Sequence, residues 1–260
     1  MSIAEVELHE GLALPPRETI VDAERQRRYH ASAEMAEGLF AETVDPSILA
    51  NDCILAGYPL RDGRITNLHM SQRMVQSAPV RLGEPLRLTG RVAELAPMGK
   101  GRRVRIDLEF TRADGSVPVR AEMTSLQVDR AAMRQKGAGS AKSFETEGFE
   151  TVAGKHPTAA RVTGYSVEFP LDQVHFDPAV AAAIGLRAPV AQGLMSLTWM
   201  MEALAKNGVP RELGILAEFR RPIFWDDRLT VLARGETAFQ VRNAEDEVCS
   251  IGRVAHLVRD

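Results

Sequence analysis

Pro79-Val-Arg-Leu-Gly-Glu-Pro-Leu86, leading into the alternating Arg87-Leu-Thr-Gly-Arg-Val92, is echoed 143 residues later (222 − 79 = 143) by Pro222-Ile-Phe-Trp-Asp-Asp-Arg-Leu229, leading into Thr230-Val-Leu-Ala. A fixed-offset echo points to two units of the same architecture. The stretches that follow strengthen it. Residues 104–110 alternate apolar and charged positions and reach Ala113-Asp-Gly115 before a second run over 117–128, while 237–241 reach a polar turn at 243–246 before 248–258. Period-two alternation broken by an Asp-Gly or Asn-rich turn is the signature of a β-hairpin. Each half is therefore expected to end in an antiparallel meander of about three strands.

Working outward, 260 residues accommodate two compact units. We expect an N-terminal unit over 1–130, a Gly-, Ala- and Ser-rich connection over 131–160, and a C-terminal unit over 161–260. With 45% apolar and 26% charged residues, and 32 basic against 35 acidic side chains, the chain lacks the composition of a disordered or nucleic-acid-coating protein. Cys53 and Cys249 form no CxxC pair and sit in no His/Cys cluster, so neither a disulfide framework nor a bound metal is expected. No membrane segment is expected, because no eighteen-residue apolar run occurs and the first fifteen residues lack a basic start. A cytoplasmic setting fits best.

The helical segments differ between halves. Residues 22–39 carry charge on most faces and stop at Gly38, as a surface helix does. Residues 179–206 are apolar almost all round and are expected to be buried, with Asp177-Pro178 as N-cap and first-turn proline and a break at Gly185 and Pro189. The stretch before that break, Phe169-Pro-Leu-Asp172-Gln-Val-His175-Phe-Asp177-Pro178, places an acid and an imidazole on one short loop, a spacing compatible with acid/base work. Gly193 opens the second helical segment, where unpaired backbone N–H groups can polarise a carbonyl oxygen. Taken alone, a histidine near a helix start such as His175 is more often a structural hydrogen-bonding residue, and a glycine such as Gly193 is often there for packing. Asp177 reads as a helix cap.

His175-Phe-Asp177-Pro178, followed by Pro189-Val-Ala-Gln192-Gly193-Leu-Met195, resembles the hydratase element of the MaoC-like, (R)-specific enoyl-CoA hydratase family, written D-x-N-P-x-H-x-D-P and P-I-x-H-G-M. Phe219-Arg-Arg-Pro222 and Asp227-Arg-Leu229 resemble that family's next strands, and 74–128 the first unit of its two-unit members. The resemblance implies an α+β double hotdog, two antiparallel sheets each wrapped around a long helix and fused in one chain. It also implies reversible hydration of a 2-enoyl thioester of coenzyme A or acyl carrier protein, with no cofactor. In its terms the catalytic residues are Asp172, His175 and Gly193. The departures are Pro170 at the family's Asp, Asp172 at its Asn and Gln192 at its His before Gly. Asp172 lies two residues beyond the usual acid, on the same face of an extended chain but about 6.6 Å away. A branch resembling mesaconyl-type hydratases and mitochondrial hydroxyacyl dehydratases, N-x-H-x-I-H-Y-D, aligns with Asp172 in place of its first His.

Substrate contacts are expected from Gln192 and Ser196, and phosphate contacts from Arg220 and Arg221, whose guanidinium groups bind phosphate at two points; an exposed strand end is the plainer account of the arginines. In the N-terminal half Asp45-Pro46 resembles the Asp177-Pro178 cap with Thr43 at the place of His175, so that unit is expected to be non-catalytic. Ile65, Leu68, Met70 and Met74 are expected to line an acyl tunnel and His69 to be structural. Two other functions share this fold: a hotdog acyl-CoA thioesterase, opposed by the absence of an acid over 179–188, and an inactive acyl-thioester-binding protein, suggested by Pro170 and Gln192. Two fused units permit a monomer, and a homodimer stays open.

Overall fold

The computed structural model describes residues 7–60, 65–129 and 144–259. Ten strands form one antiparallel sheet in the order β1-β3-β4-β5-β2-β7-β10-β9-β8-β6. In the first half they are β1 (Arg17–Ile20), β2 (Ile65–Gln76), β3 (Pro85–Met98), β4 (Gly101–Thr111) and β5 (Val119–Asp129); in the second, β6 (Glu150–Lys155), β7 (Glu212–Phe219), β8 (Leu229–Arg234), β9 (Ala238–Arg242) and β10 (Val248–Val258). The order of the second five mirrors the first, so this is an α+β double hotdog. The two expected sheets are joined edge to edge, β2 pairing with β7 from Ser71 opposite Glu218 to Gln76 opposite Leu213.

Local chemistry explains the strands. Along β4, Val104, Ile106, Leu108 and Phe110 are buried while Arg103, Arg105, Asp107 and Glu109 alternate on the other face. The β4–β5 turn closes at Gly115, at φ +85°, with its N–H donating to the Arg112 carbonyl at 3.0 Å. A left-handed residue there suits glycine.

Among the described residues five α-helices accompany the sheet: α1 (Ala23–Ser32), α2 (Pro46–Ala56), α3 (Ala159–Ser166), α4 (Pro178–Ala183) and α5 (Gly193–Ala205). The central helices α2 and α5 are buried along most of their lengths and meet where the Ser47 and Thr198 hydroxyls share a hydrogen bond of 3.0 Å. Among the described residues no helix is long and apolar enough to cross a membrane.

Three expectations are corrected. Of 179–206, only α5 is the buried central helix; in α4 only Ala181 is buried, because a one-and-a-half-turn stretch of alanines has little apolar area demanding cover and Gly185 ends it at φ +85°. The helix over 22–39 stops at Ser32 and is not charged all round: Ala23, Glu24, Arg27 and Ala31 are exposed, while Gln26, Tyr29 and His30 face inward. The Ala33 carbonyl accepts from the Trp199 indole and the Glu34 carbonyl from Lys155, which capture the chain as it leaves the helix. Within the expected connection, 130–143 lie outside the described residues, but β6 pairs with β8, and the Lys155 ammonium reaches the Glu202 carboxylate of α5 at 2.6 Å. The second half therefore begins inside that segment.

The echo of the two loops is structural. Thr43 bridges Arg81 just before α2, and Val190 bridges Phe224 just before α5 (224 − 81 = 143). By fold position, Asp45-Pro46 thus corresponds to Gln192-Gly193 and not to Asp177-Pro178, and Thr43 corresponds to Val190 and not to His175.

Candidate active site

A cavity of about 490 Å³ opens between the halves. Its N-terminal wall includes Ile54, Leu60, Val104, Ile106 and Met123; its C-terminal wall includes Asp172, His175, Gln192, Gly193 and Phe219. Apolar surface on one side and converging polar groups on the other are what a thioester with a hydrocarbon tail requires.

His175 ends a short 3₁₀ turn (Gln173–His175). Its Nδ1 lies 2.7 Å from the Val190 carbonyl. A carbonyl only accepts, so Nδ1 donates to it, and in the neutral form of the ring the lone pair lies on Nε2. Val190 does more than orient the ring. Its own N–H donates to the Val174 carbonyl at 3.3 Å, and the next residue, Ala191, donates to Ile223 at 2.8 Å. The imidazole and the start of α5 are thereby fixed to one another through Val190.

Gly193 is the first residue of α5, where the opening N–H groups have no partner within the helix. A Cβ here would fall 2.7 Å from Cγ of Phe219, so the ring and the helix start approach as only glycine permits. Gln192 precedes it at the N-cap position but makes no capping bond; the residue is 5% exposed, and neither atom of its carboxamide has a hydrogen-bond partner among the described residues.

The Asp172 carboxylate accepts from the Tyr58 hydroxyl at 2.9 Å, a contact supplied by the other half of the chain. The loop before it is tied down at Glu168, which receives Arg25 Nε at 2.9 Å and Nη2 at 2.7 Å and also pairs with Arg28. Arg25 simultaneously grips Asp52 of α2 at 2.9 Å. Burial opposes charge on Glu168, yet the bonds and charge of Arg25 prevail and hold its carboxyl below the usual range.

Arg220 and Arg221 are exposed lining residues of the cavity, with Arg220 on Glu218 at 2.7 Å and Arg221 on Glu247 at 3.3 Å. Ser196, expected at the substrate, is fully buried and takes a hydrogen bond from Ser250 at 3.0 Å; Ser250, not Ser196, belongs to the lining. Leu68 and Met70 line the cavity, whereas Met74 is in the core and Ile65 is not among the lining residues. His69, expected to be structural, is a lining residue. Asp177 caps α4 as expected, its Oδ1 accepting from the Ala179 N–H at 2.7 Å. Tyr58, Ser250 and Phe219 escaped the sequence reading as site residues. Tyr58 lies 114 positions from its partner Asp172, and no local pattern signals such a contact.

No protein-family model matches the chain, and no curated protein matches it. Solved structures do. HtdX of Mycobacterium tuberculosis is 14% identical and superposes with a TM-score of 0.70 over 92% of this chain and 99% of that one. A MaoC-like dehydratase from Phytophthora capsici is 15% identical, with a TM-score of 0.68 over the whole of both chains. The fold is that of the MaoC-like dehydratases. A putative oleoyl thioesterase from Lactobacillus plantarum shares it at 10% identity and a TM-score of 0.61, over 94% of this chain and 95% of that one. A MaoC-type fold therefore leaves the reaction to be argued from the site.

Proposed function

We propose that this chain is a hydro-lyase that reversibly hydrates a 2-enoyl thioester, carried on coenzyme A or acyl carrier protein, to the 3-hydroxyacyl thioester. The reading rests above all on His175, whose Nδ1 is committed to the Val190 carbonyl and whose ring borders the same cavity as Asp172 and Gly193. The thioester oxygen accepts the Gly193 N–H, where charge develops as the double bond polarises. His175 and Asp172 orient one water. As its oxygen bonds to C3, one of the pair takes its proton and returns it to C2 while the other holds the water in place, so that one water is added and the thioester bond is kept. The apolar wall from Ile54 to Met123 receives the acyl tail, and Arg220 and Arg221 receive the phosphates of the carrier.

Thioester hydrolysis is the second reading, favoured by the shared fold of the thioesterase. Acids do lie on the central helices, Asp52 on α2 and Glu202 on α5, but Arg25 and Lys155 engage them and neither is among the lining residues. That counts against a helix-borne base. Crotonyl-CoA with the pure protein separates the possibilities: loss of conjugated-thioester absorbance without thiol release is expected. Thiol release would replace the proposal with hydrolysis, and binding without either change would replace it with an inactive binder.

A further inference from the structure

Arg25 is not among the residues lining the cavity, yet its guanidinium joins the two stretches of chain that deliver Asp172 and its hydrogen-bond partner. Nε and Nη2 meet the Glu168 carboxylate at 2.9 and 2.7 Å, while Nη1 and Nη2 meet the Asp52 carboxylate at 3.0 and 2.9 Å. Two edges of the plane are thus filled, one by a side chain of α2 and the other by the loop before the 3₁₀ turn. A planar group with fixed N–H directions sets the separation of the carboxylates it joins, which a flexible point charge cannot do.

The same two stretches meet again nearer the cavity. Six positions beyond Asp52 comes Tyr58, four beyond Glu168 comes Asp172, and the Tyr58 hydroxyl donates to the Asp172 carboxylate at 2.9 Å. Neither stretch is slack. The Gly57 N–H closes the end of α2 on the Cys53 and Ile54 carbonyls at 3.2 and 3.1 Å, and the Asp172 N–H donates to the Phe169 carbonyl at 2.9 Å. Phe169 is fully buried, its ring edge-on to that of Tyr58 with centroids 6.1 Å apart. The contacts close a circuit from Arg25 through Asp52, Tyr58, Asp172 and Glu168 back to Arg25. Resting on the hydro-lyase reading above, we infer that Arg25 is a positioning residue for the reaction: by spacing α2 from the 168–172 loop it sets the Tyr58–Asp172 bond, and so the place of the Asp172 carboxylate at the cavity. The N-terminal half then contributes geometry to the chemistry, although the proposed reacting groups all belong to the other half.

The test compares the full chain with Arg25→Lys, which keeps the charge but not the double fork, and with Asp52→Asn, which weakens only the α2 arm. Arg28, which also pairs with Glu168, is untouched in both. Arg25→Lys is expected to lower kcat for crotonyl-CoA hydration about tenfold, short of the roughly 10²-fold of a full 1 Å misplacement. In an Asp172→Ala background, where no carboxylate is left to misplace, it should change the rate by no more than about twofold. The chain holds three tyrosines, so ring-¹³C tyrosine NMR identifies Tyr58 as the signal that Tyr58→Phe removes, and in both variants that signal should move toward its position in Asp172→Ala. A Tyr58 signal unmoved in both variants, or a kcat loss that persists in full in the Asp172→Ala background, overturns the inference, while hydration by the parent leaves the hydro-lyase reading standing. No hydration by the parent overturns that reading and, with it, the catalytic consequence of Arg25.

Discussion

Replacing Gly193 by Ala places a methyl group 2.7, 2.8 and 2.9 Å from Cγ, Cδ1 and Cδ2 of Phe219. Carbon atoms pack at about 3.5–4.0 Å, so ring or helix must yield by close to 1 Å. These are the atoms nearest the ring's attachment, and rotating the ring cannot clear them. Overpacking of this size costs about 1–3 kcal/mol. Because the amide proposed to hold the thioester oxygen belongs to the residue being pushed, hydration of crotonyl-CoA should fall about 10²-fold, the loss typical of a 1 Å misplacement. Urea denaturation and steady-state hydration of Gly193→Ala, Phe219→Ala and the double variant form a thermodynamic cycle. If the ring is the obstacle, the double variant is more stable than the sum of the singles predicts by at least about 1 kcal/mol. Effects that add to within about 0.5 kcal/mol, the behaviour of independent sites, or a Gly193→Ala protein with unchanged stability and rate, would refute the close-approach reasoning.

His175→Ala is expected to lower kcat by about 10²- to 10⁴-fold with little change in the urea midpoint; a rate within threefold of the parent would remove it from the mechanism. Tyr58→Phe, which takes one hydrogen bond from Asp172, should cost less than Asp172→Asn, and the reverse ranking would show that Tyr58 acts on its own account. Glu168 has a folded pKa below its ordinary value, so its stabilisation is complete above that ordinary value and disappears as pH falls through the folded one. The stability gap between parent and Glu168→Gln should accordingly close on acidification, and a gap constant from pH 7 to pH 3 would contradict the Arg25 pairing. Lys155→Met removes the 2.6 Å partner of the buried Glu202 carboxylate and leaves it Lys206 at 3.4 Å, so the fold should lose up to about 3–5 kcal/mol, read as a fall in denaturation midpoint.

Patterns confined to a few adjacent residues were legible in the sequence. The two hairpins announce themselves through alternation and turn chemistry, and the offset of 143 places Val80 and Ile223 at the same station of each half, where they accept from Val44 and Ala191. The capping role of Asp177 is equally local. Burial was legible for α5, which is apolar almost all round, but not for the first helix: charged residues 22–28 suggested solvent, whereas Arg25 spends its charge on Asp52 and Glu168 across the molecule. The short edge strands β1 and β6 carry too few residues to show a period. At the site, the sequence brought forward Asp172, His175, Gln192 and Gly193, which border one cavity; Ser196 is not among its lining residues, and facing on a helix buried all round cannot be read from polarity. Equating Asp45 with Asp177 followed the repeated Asp-Pro pair, whereas register was decided by the bridges at Thr43 and Val190.

The seam between β2 and β7 constrains how a ligand gets in and out. Backbone pairing from Ser71 to Gln76 makes the two halves one rigid wall, so hinged opening of the kind that admits substrates to two-lobed enzymes would mean tearing a sheet. Entry is left to side-chain movement around the cavity, whose lining includes the exposed Arg220 and Arg221. For the same reason, either half cut free would present a raw strand edge and half a cavity, and doubling the unit within one polypeptide guarantees that the missing wall is always at hand.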